Sequence, residues 1–179
     1  MKRKHFLMTP MVALPCTEFA NFAINNKRIK PFKVGDSEDR FHEDSLYRGN
    51  HFYLKVSARD TDGELCIYNS TRIKKGGPRL HLHHSQDEWF FILKGEFTFR
   101  IGDESFCLKE GDSLFGPREI PHAFALTSEG EGKLMLIYQP AGKIEDFFKE
   151  ARTSEDLSEE QSKALFRKYG MELLGSPMD

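Results

Sequence analysis

The 179-residue chain contains only three cysteines, Cys16, Cys66 and Cys107, and no two of them stand in C-x-x-C spacing. An odd count without that spacing argues against a disulfide framework or a thiolate zinc site, and favours an intracellular setting in which thiols pack as small hydrophobes. Charge of one sign is lacking as well. Lys plus Arg number 26 against 28 Asp plus Glu, for a net charge of -2. Without a broad basic field there is little to hold a phosphate backbone, so nucleic acid is not an expected partner. No apolar run reaches the roughly 18 residues of a membrane-spanning helix, so no membrane partner is expected. A Gly-rich phosphate loop is missing, and Ser85 and Ser113 lack the surroundings of a nucleophile. Asp60-Thr61-Asp62-Gly63 opens like a calcium loop, but the position that should carry a glutamate is Thr71. A hairpin turn accounts for it better.

Aromatic residues are plentiful. They make up 12% of the chain, with 16 Phe, and hydrophobics make up 39%, enough for one packed core at this length. The first residues, Met1 to His5, are basic and are followed by a mostly apolar stretch from Phe6 to Pro15, the outline of a secretory signal. Thr9, Pro10 and Pro15 break that stretch, and no small-x-small cleavage site follows. The expectation is a cytoplasmic protein whose N-terminal segment packs as an arm, with export as the alternative.

Three regions are expected: an arm and loop region over 1–48, a β-barrel over 49–141 and a helical segment over 142–179 that packs on the barrel. The polar stretch Gly35 to Arg40 reads as a solvated loop. Nine strand-length runs, at 51–58, 64–71, 79–84, 88–94, 97–101, 105–109, 113–116, 123–127 and 133–139, are separated by turn signals such as Lys94-Gly95-Glu96 and Glu110-Gly111-Asp112. Short strands at regular spacing predict an all-β antiparallel sandwich or barrel. After Pro140 helix formers take over. Ile144, Phe147 and Phe148 share a stripe, and Ser158 with Gln161 forms a capping box before Leu165, Phe166 and Tyr169, with Gly170 as the stop.

Four of the 7 histidines, His81, His83, His84 and His122, fall in one short stretch. His81 and His83 stand two apart on a strand, so both point to one face. Glu88 opens the next strand, and His122 starts a later one after the stiff turn Pro117 to Pro121. One such histidine alone would be read as a satisfied core or surface residue. Three imidazoles and a carboxylate together suit a divalent first-row metal: Zn, Cu, Fe or Ni through the imidazoles, and Mn through the carboxylate.

These residues also carry a resemblance. His81 and His83, four residues, Glu88, six residues and Gly95 reproduce the first motif of the cupin superfamily. Gly111, five residues, Pro117 and then His122 reproduce the second. Glu119 stands where the second motif has its internal glycine, Leu126 where it has its asparagine, and Lys75 where a glycine precedes the first motif. The chain looks most similar to the small single-domain cupins described as quercetin 2,3-dioxygenase-like, over about residues 50 to 150.

The resemblance implies a double-stranded β-helix, or jelly-roll barrel, with short C-terminal helices. It makes His81, His83, Glu88 and His122 the ligands of one transition metal (Fe, Mn, Ni, Zn, Co or Cu), with Glu88 also a candidate base. Alternation from Glu88 places Phe90 and Ile92 in the cavity, and alternation from His122 adds Phe124 and Leu126. Tyr53, Lys55, Phe97, Phe99 and Gln139 are further candidates on strands of unfixed phase. His84 is expected on the opposite side of its strand, and Gln86 and Asp87 at a turn or the surface. The implied function is a dioxygenase-like enzyme for a small phenolic or enolisable substrate. The alternatives are a non-oxidative isomerase, epimerase or decarboxylase, or a binding module. A homodimer through sheet edges is expected.

Overall fold

The computed structural model describes residues 29–154 and 157–178. The signal-like segment, His5, Cys16 and the acidic pair Glu155-Asp156 lie outside the described residues. From residue 32 onward, two antiparallel sheets face each other. One has the order β1 (Leu46–Tyr47), β2 (Asn50–Val56), β3 (Cys66–Arg72), β10 (Gly132–Gln139), β5 (Asp87–Lys94), β8 (Ser113–Gly116). The other has the order β11 (Met171–Pro177), β4 (Arg79–His83), β9 (His122–Leu126), β6 (Glu96–Ile101), β7 (Glu104–Lys109). This is the expected all-β jelly roll. Two helices, α1 (Ile144–Arg152) and α2 (Glu159–Lys168), follow the last long strand.

Strand alternation decides what enters the core. In β5, Glu88, Phe90 and Ile92 are buried while Trp89 and Phe91 face outward. In β10, Leu134, Leu136 and Tyr138 are buried and Gln139 is exposed. Phe97 and Phe99 of β6 meet Phe124 of β9 with ring centroids 6.1 and 5.1 Å away, the first pair edge-on and the second tilted, within the range of favourable aromatic pairs. Phe90 joins them at 4.8 Å from Phe99. Gly77 lies so close to β9 that a Cβ there would sit 1.4 Å from the carbonyl oxygen of Phe124. Only glycine permits that approach.

The helices form as their sequences imply. Ile144, Phe147 and Phe148 are buried on one face of α1. At α2, the Gln161 amide donates to Ser158 Oγ at 3.3 Å and the Ser158 amide donates to Gln161 Oε1 at 2.9 Å.

Three expectations need correction. The segment after α2 is not helical: Met171–Pro177 pairs with β4 as an edge strand. The Gly35–Arg40 stretch is not a free loop, because the buried Asp39 carboxylate accepts from the amides of Phe41, Glu43 and Leu54 at 2.8–3.3 Å. Cys66 is buried as expected, but Cys107 is exposed on β7.

Candidate metal centre

His81 and His83 come from β4 and His122 from the adjacent β9, where His81 and His122 are directly paired. Glu88 reaches them from β5 in the facing sheet. One ligand atom from each of the four lies within 4.8 Å of the others, and all four residues are buried. His122 Nε2 is 3.0 Å from Glu88 Oε2, and His83 Nε2 is 3.3 Å from the same oxygen.

The opposite edges of the rings show why they point this way. Nδ1 of His81 donates to the Arg79 carbonyl at 2.7 Å, and Nδ1 of His122 to the Ile120 carbonyl at 3.1 Å. Nδ1 of His83 donates to Gln86 Oε1 at 3.2 Å. Each ring proton is therefore held on Nδ1, which leaves the Nε2 lone pairs facing the carboxylate. Lone pairs set against a carboxylate repel unless a cation lies between them. His83 Nε2 also lacks any hydrogen bond among the described residues despite its burial. Orphaned buried polar atoms are rare, and this one is aimed into the cluster. The donor set and its orientation fit a divalent metal.

Burial lowers the His81 pKa to about 3, aided by the charges of His122 and His83. For Glu88, burial alone would raise the pKa, but the adjacent His122 and His83 rings outweigh it and keep the carboxyl below its usual range. Tyr138, paired across the strands with Glu88, is pushed well above the usual phenol range by desolvation and by that carboxylate. It stays a neutral proton donor.

Above the cluster lies a cavity of about 400 Å³, within the range of small-molecule sites. His81, His83 and Glu88 open into it, and Phe52, Leu136 and Tyr138 form part of its wall. The helices close the other side with Phe147, Phe148 and Phe166. Of the residues expected to line it, Phe124 does. Phe90, Ile92, Leu126, Phe97 and Phe99 are buried behind the wall in the core. Tyr53 lies on the outer phase of β2 and stacks on His51 at 5.3 Å. Lys55 donates to the carbonyls of Gly35, Asp36 and Glu38.

The residues around the ligands divide in the same way. His84 is exposed, 3.2 Å from Glu119 Oε2, and Asp87 is paired with Arg118 at 2.7 Å. Gln86 corrects the surface reading. It is buried, and its Nε2 donates to the carbonyls of Pro140 and Ala141 at 3.2 and 2.6 Å, which turns Oε1 toward His83. Gly142 makes room for it, since a Cβ there would sit 2.8 Å from the Gln86 amide. Glu119, at the motif's glycine position, adopts φ 64°, a left-handed conformation that glycine takes more easily.

The chain is similar to known proteins over part of its length. Residues 70–138 match the family described as Cupin domain. Quercetin 2,3-dioxygenase of Bacillus subtilis is 30% identical over 109 residues, 59% of this chain and 31% of that protein. An uncharacterized protein of Methanocaldococcus jannaschii is 28% identical over 67 residues, 37% of this chain and 54% of that one. The chain thus spans about a third to a half of the curated relatives it matches. Among solved structures, an RmlC-like cupin from Shewanella frigidimarina superposes with a TM-score of 0.49 at 20% identity, covering 63% of this chain and 93% of that one.

Proposed function

We propose that this chain, whose residues 70–138 form a cupin domain, is a metal-dependent dioxygenase-like enzyme acting on a small phenolic or enolisable substrate. The observation that carries this reading is the set of three Nε2 lone pairs turned on one buried carboxylate at the floor of an apolar cavity. The similarity to a quercetin dioxygenase over part of its length supports the choice of chemistry.

His81, His83, Glu88 and His122 would hold one divalent ion. When bound, the ion supplies Lewis acidity and a meeting point for substrate oxygen and dioxygen. The chain's own groups do the rest. The Phe52, Phe147 and Phe148 walls exclude water and orient a flat apolar body. Glu88, ionised at neutral pH, can take the proton of a substrate hydroxyl on its carboxylate oxygen and later return that proton, while the phenol of Tyr138 stays neutral beside it as a hydrogen-bond donor. Gln86 keeps the His83 ring fixed throughout.

The test pairs elemental analysis of the purified protein with oxygen-electrode assays of its Fe, Mn, Ni and Co forms on flavonols and catechols. Replacing His81, His83 or His122 by Ala should abolish metal and turnover. Glu88→Gln should retain much of the metal and lose turnover. Oxygen uptake at background with every metal form would overturn the dioxygenase reading, and turnover under strict anaerobiosis would replace it with a non-oxidative one. Ligand binding without product would indicate a binding module. We further propose a homodimer, for which light scattering should return about twice the 20.7 kDa of one chain.

A further inference from the structure

Arg72 ends β3 with its side chain turned inward and only 5% exposed. Its guanidinium lies 5.4 Å above the Phe124 ring, and the residue forms part of the same cavity wall as His81, His83 and Glu88. Among the described residues its Nε has no hydrogen-bond partner and no carboxylate forms an ion pair with it. A buried guanidinium normally has a partner, because an uncompensated charge taken out of water is costly. One aromatic face covers a single side of the plane and does not satisfy the N–H donors in that plane. Burial lowers its pKa only to about 10, so it is charged at neutral pH.

The rest of the cavity rim has the same sign. Arg48, Lys74, Lys75 and Arg79 are also in its wall, and among the described residues Glu88 is the wall's one acidic residue. Glu159 accompanies Arg79 and Glu129 accompanies Lys75. Arg48 and Lys74 have no ion pair among the described residues. A chain with a net charge of -2 thus concentrates cations around one apolar cleft. Such an arrangement focuses potential and draws in anions.

We propose that Arg72 is the docking cation for a carboxylate on the substrate, so that the substrate class is a small, largely aromatic acid with its carboxylate on Arg72 and its reacting end toward the histidine cluster. This deepens the proposed function and rests on it for the reacting end, whereas the carboxylate site stands on Arg72 and the cavity alone. The planar guanidinium fork matches a carboxylate with two parallel hydrogen bonds. A single buried cation neutralises one negative charge, which suits a carboxylate better than a phosphate ester carrying about -1.5 to -2 at neutral pH. The surrounding Phe52, Phe124, Phe147 and Phe148 suit an aromatic body.

The test measures binding to the full-length protein, as purified and after metal removal, by calorimetry with benzoate, phenylacetate and phenylpyruvate. The neutral controls are benzamide and phenylacetamide, and phenyl phosphate is the dianionic one. In the metal-free protein, where no ion can attract the carboxylate, the acids should bind at least tenfold tighter than their amides. Arg72→Gln should remove that preference while leaving amide binding in place, and Arg72→Lys should keep part of it. Equal binding of acids and amides by the wild type, tighter binding of phenyl phosphate than of any acid, or no binding of any acid would each overturn the proposal. So would an Arg72→Gln protein that keeps the acid preference. The wild-type comparison decides the matter even if the variants fail to fold. Because it is made without metal, it is independent of whether the loaded protein consumes dioxygen.

Discussion

Gln86 shows how a residue that touches neither the cavity nor the ligand atoms can set the chemistry of the site. Its amide is fixed by two carbonyls on one side and fixes His83 on the other. Groups that orient a metal-binding histidine typically affect affinity about 10–100-fold. Gln86→Leu should therefore weaken metal binding by about that factor, read by competition with a chelator, while circular dichroism shows the fold retained. Gln86→Glu should also weaken it, since a carboxylate oxygen can accept from Nδ1 but its partner oxygen would be set against the Pro140 and Ala141 carbonyls. Unchanged affinity in Gln86→Leu would show that the His83 ring is held by packing alone. The four candidate ligands were legible because motif spacing and strand alternation act locally. Gln86 was not, since its partners at Pro140 and Ala141 are 54 and 55 positions away. Its position beside the short Ser85 turn suggested solvent.

At the scale of elements, the nine main strands were legible because apolar alternation and Gly-containing turns mark them one by one. Two other strands were not. Leu46–Tyr47 is two residues long, and Met171–Pro177 ends in Gly-Ser-Pro, a sequence that suggests a tail until β4 offers it an edge. The cavity wall was not legible in the sequence for a related reason. Alternation along β5 and β9 identified which residues face inward, but not which of those reach the cavity and which meet the opposite sheet. The helices settle that by occupying the open side. Phe147→Ala, in the middle of that wall, should destabilise the protein by about 3 kcal/mol, seen as a lower urea midpoint, and should enlarge the cavity. Gly77→Ala should be worse than its size implies, because the new methyl would meet the Phe124 carbonyl of β9. Soluble yield and melting temperature measure that loss. A Gly77→Ala protein that melts like the wild type would mean that the Gly76–Leu126 bridge can shift to accommodate the new side chain.

For the whole molecule, folding and site assembly are linked. A ligand that binds only the folded state stabilises it in proportion to the logarithm of its concentration over Kd, about 4 kcal/mol at a thousandfold excess. Chelation should therefore lower the melting temperature, and Zn or Mn should restore it in a dose-dependent way. Acid should have a separate effect on the metal-free protein. An unfolded histidine takes up its proton near pH 6.5, whereas folded His81 does so only near 3. Between those values the unfolded chain binds more protons, so the stability contributed by neutral His81 is complete above about pH 6.5 and is lost progressively as the pH falls. Melting curves of the metal-free protein between pH 8 and 4 test the sign, and a melting temperature that rises with acid would contradict it.

The ligands are also divided between the layers, with three on the sheet of β4 and β9 and Glu88 on the sheet of β5. An ion held by all four would be a rivet through the sandwich, tying together layers that face each other largely through apolar side chains. Separating the layers would then require a coordination bond to break first, so the rate of opening, and not only its equilibrium, would depend on occupancy. Amide hydrogens on β4, β5 and β9 should exchange far more slowly in the loaded protein, while those on the outer β1 and β7 should hardly change. The same residues that prepare the chemistry would act as a mechanical fastening.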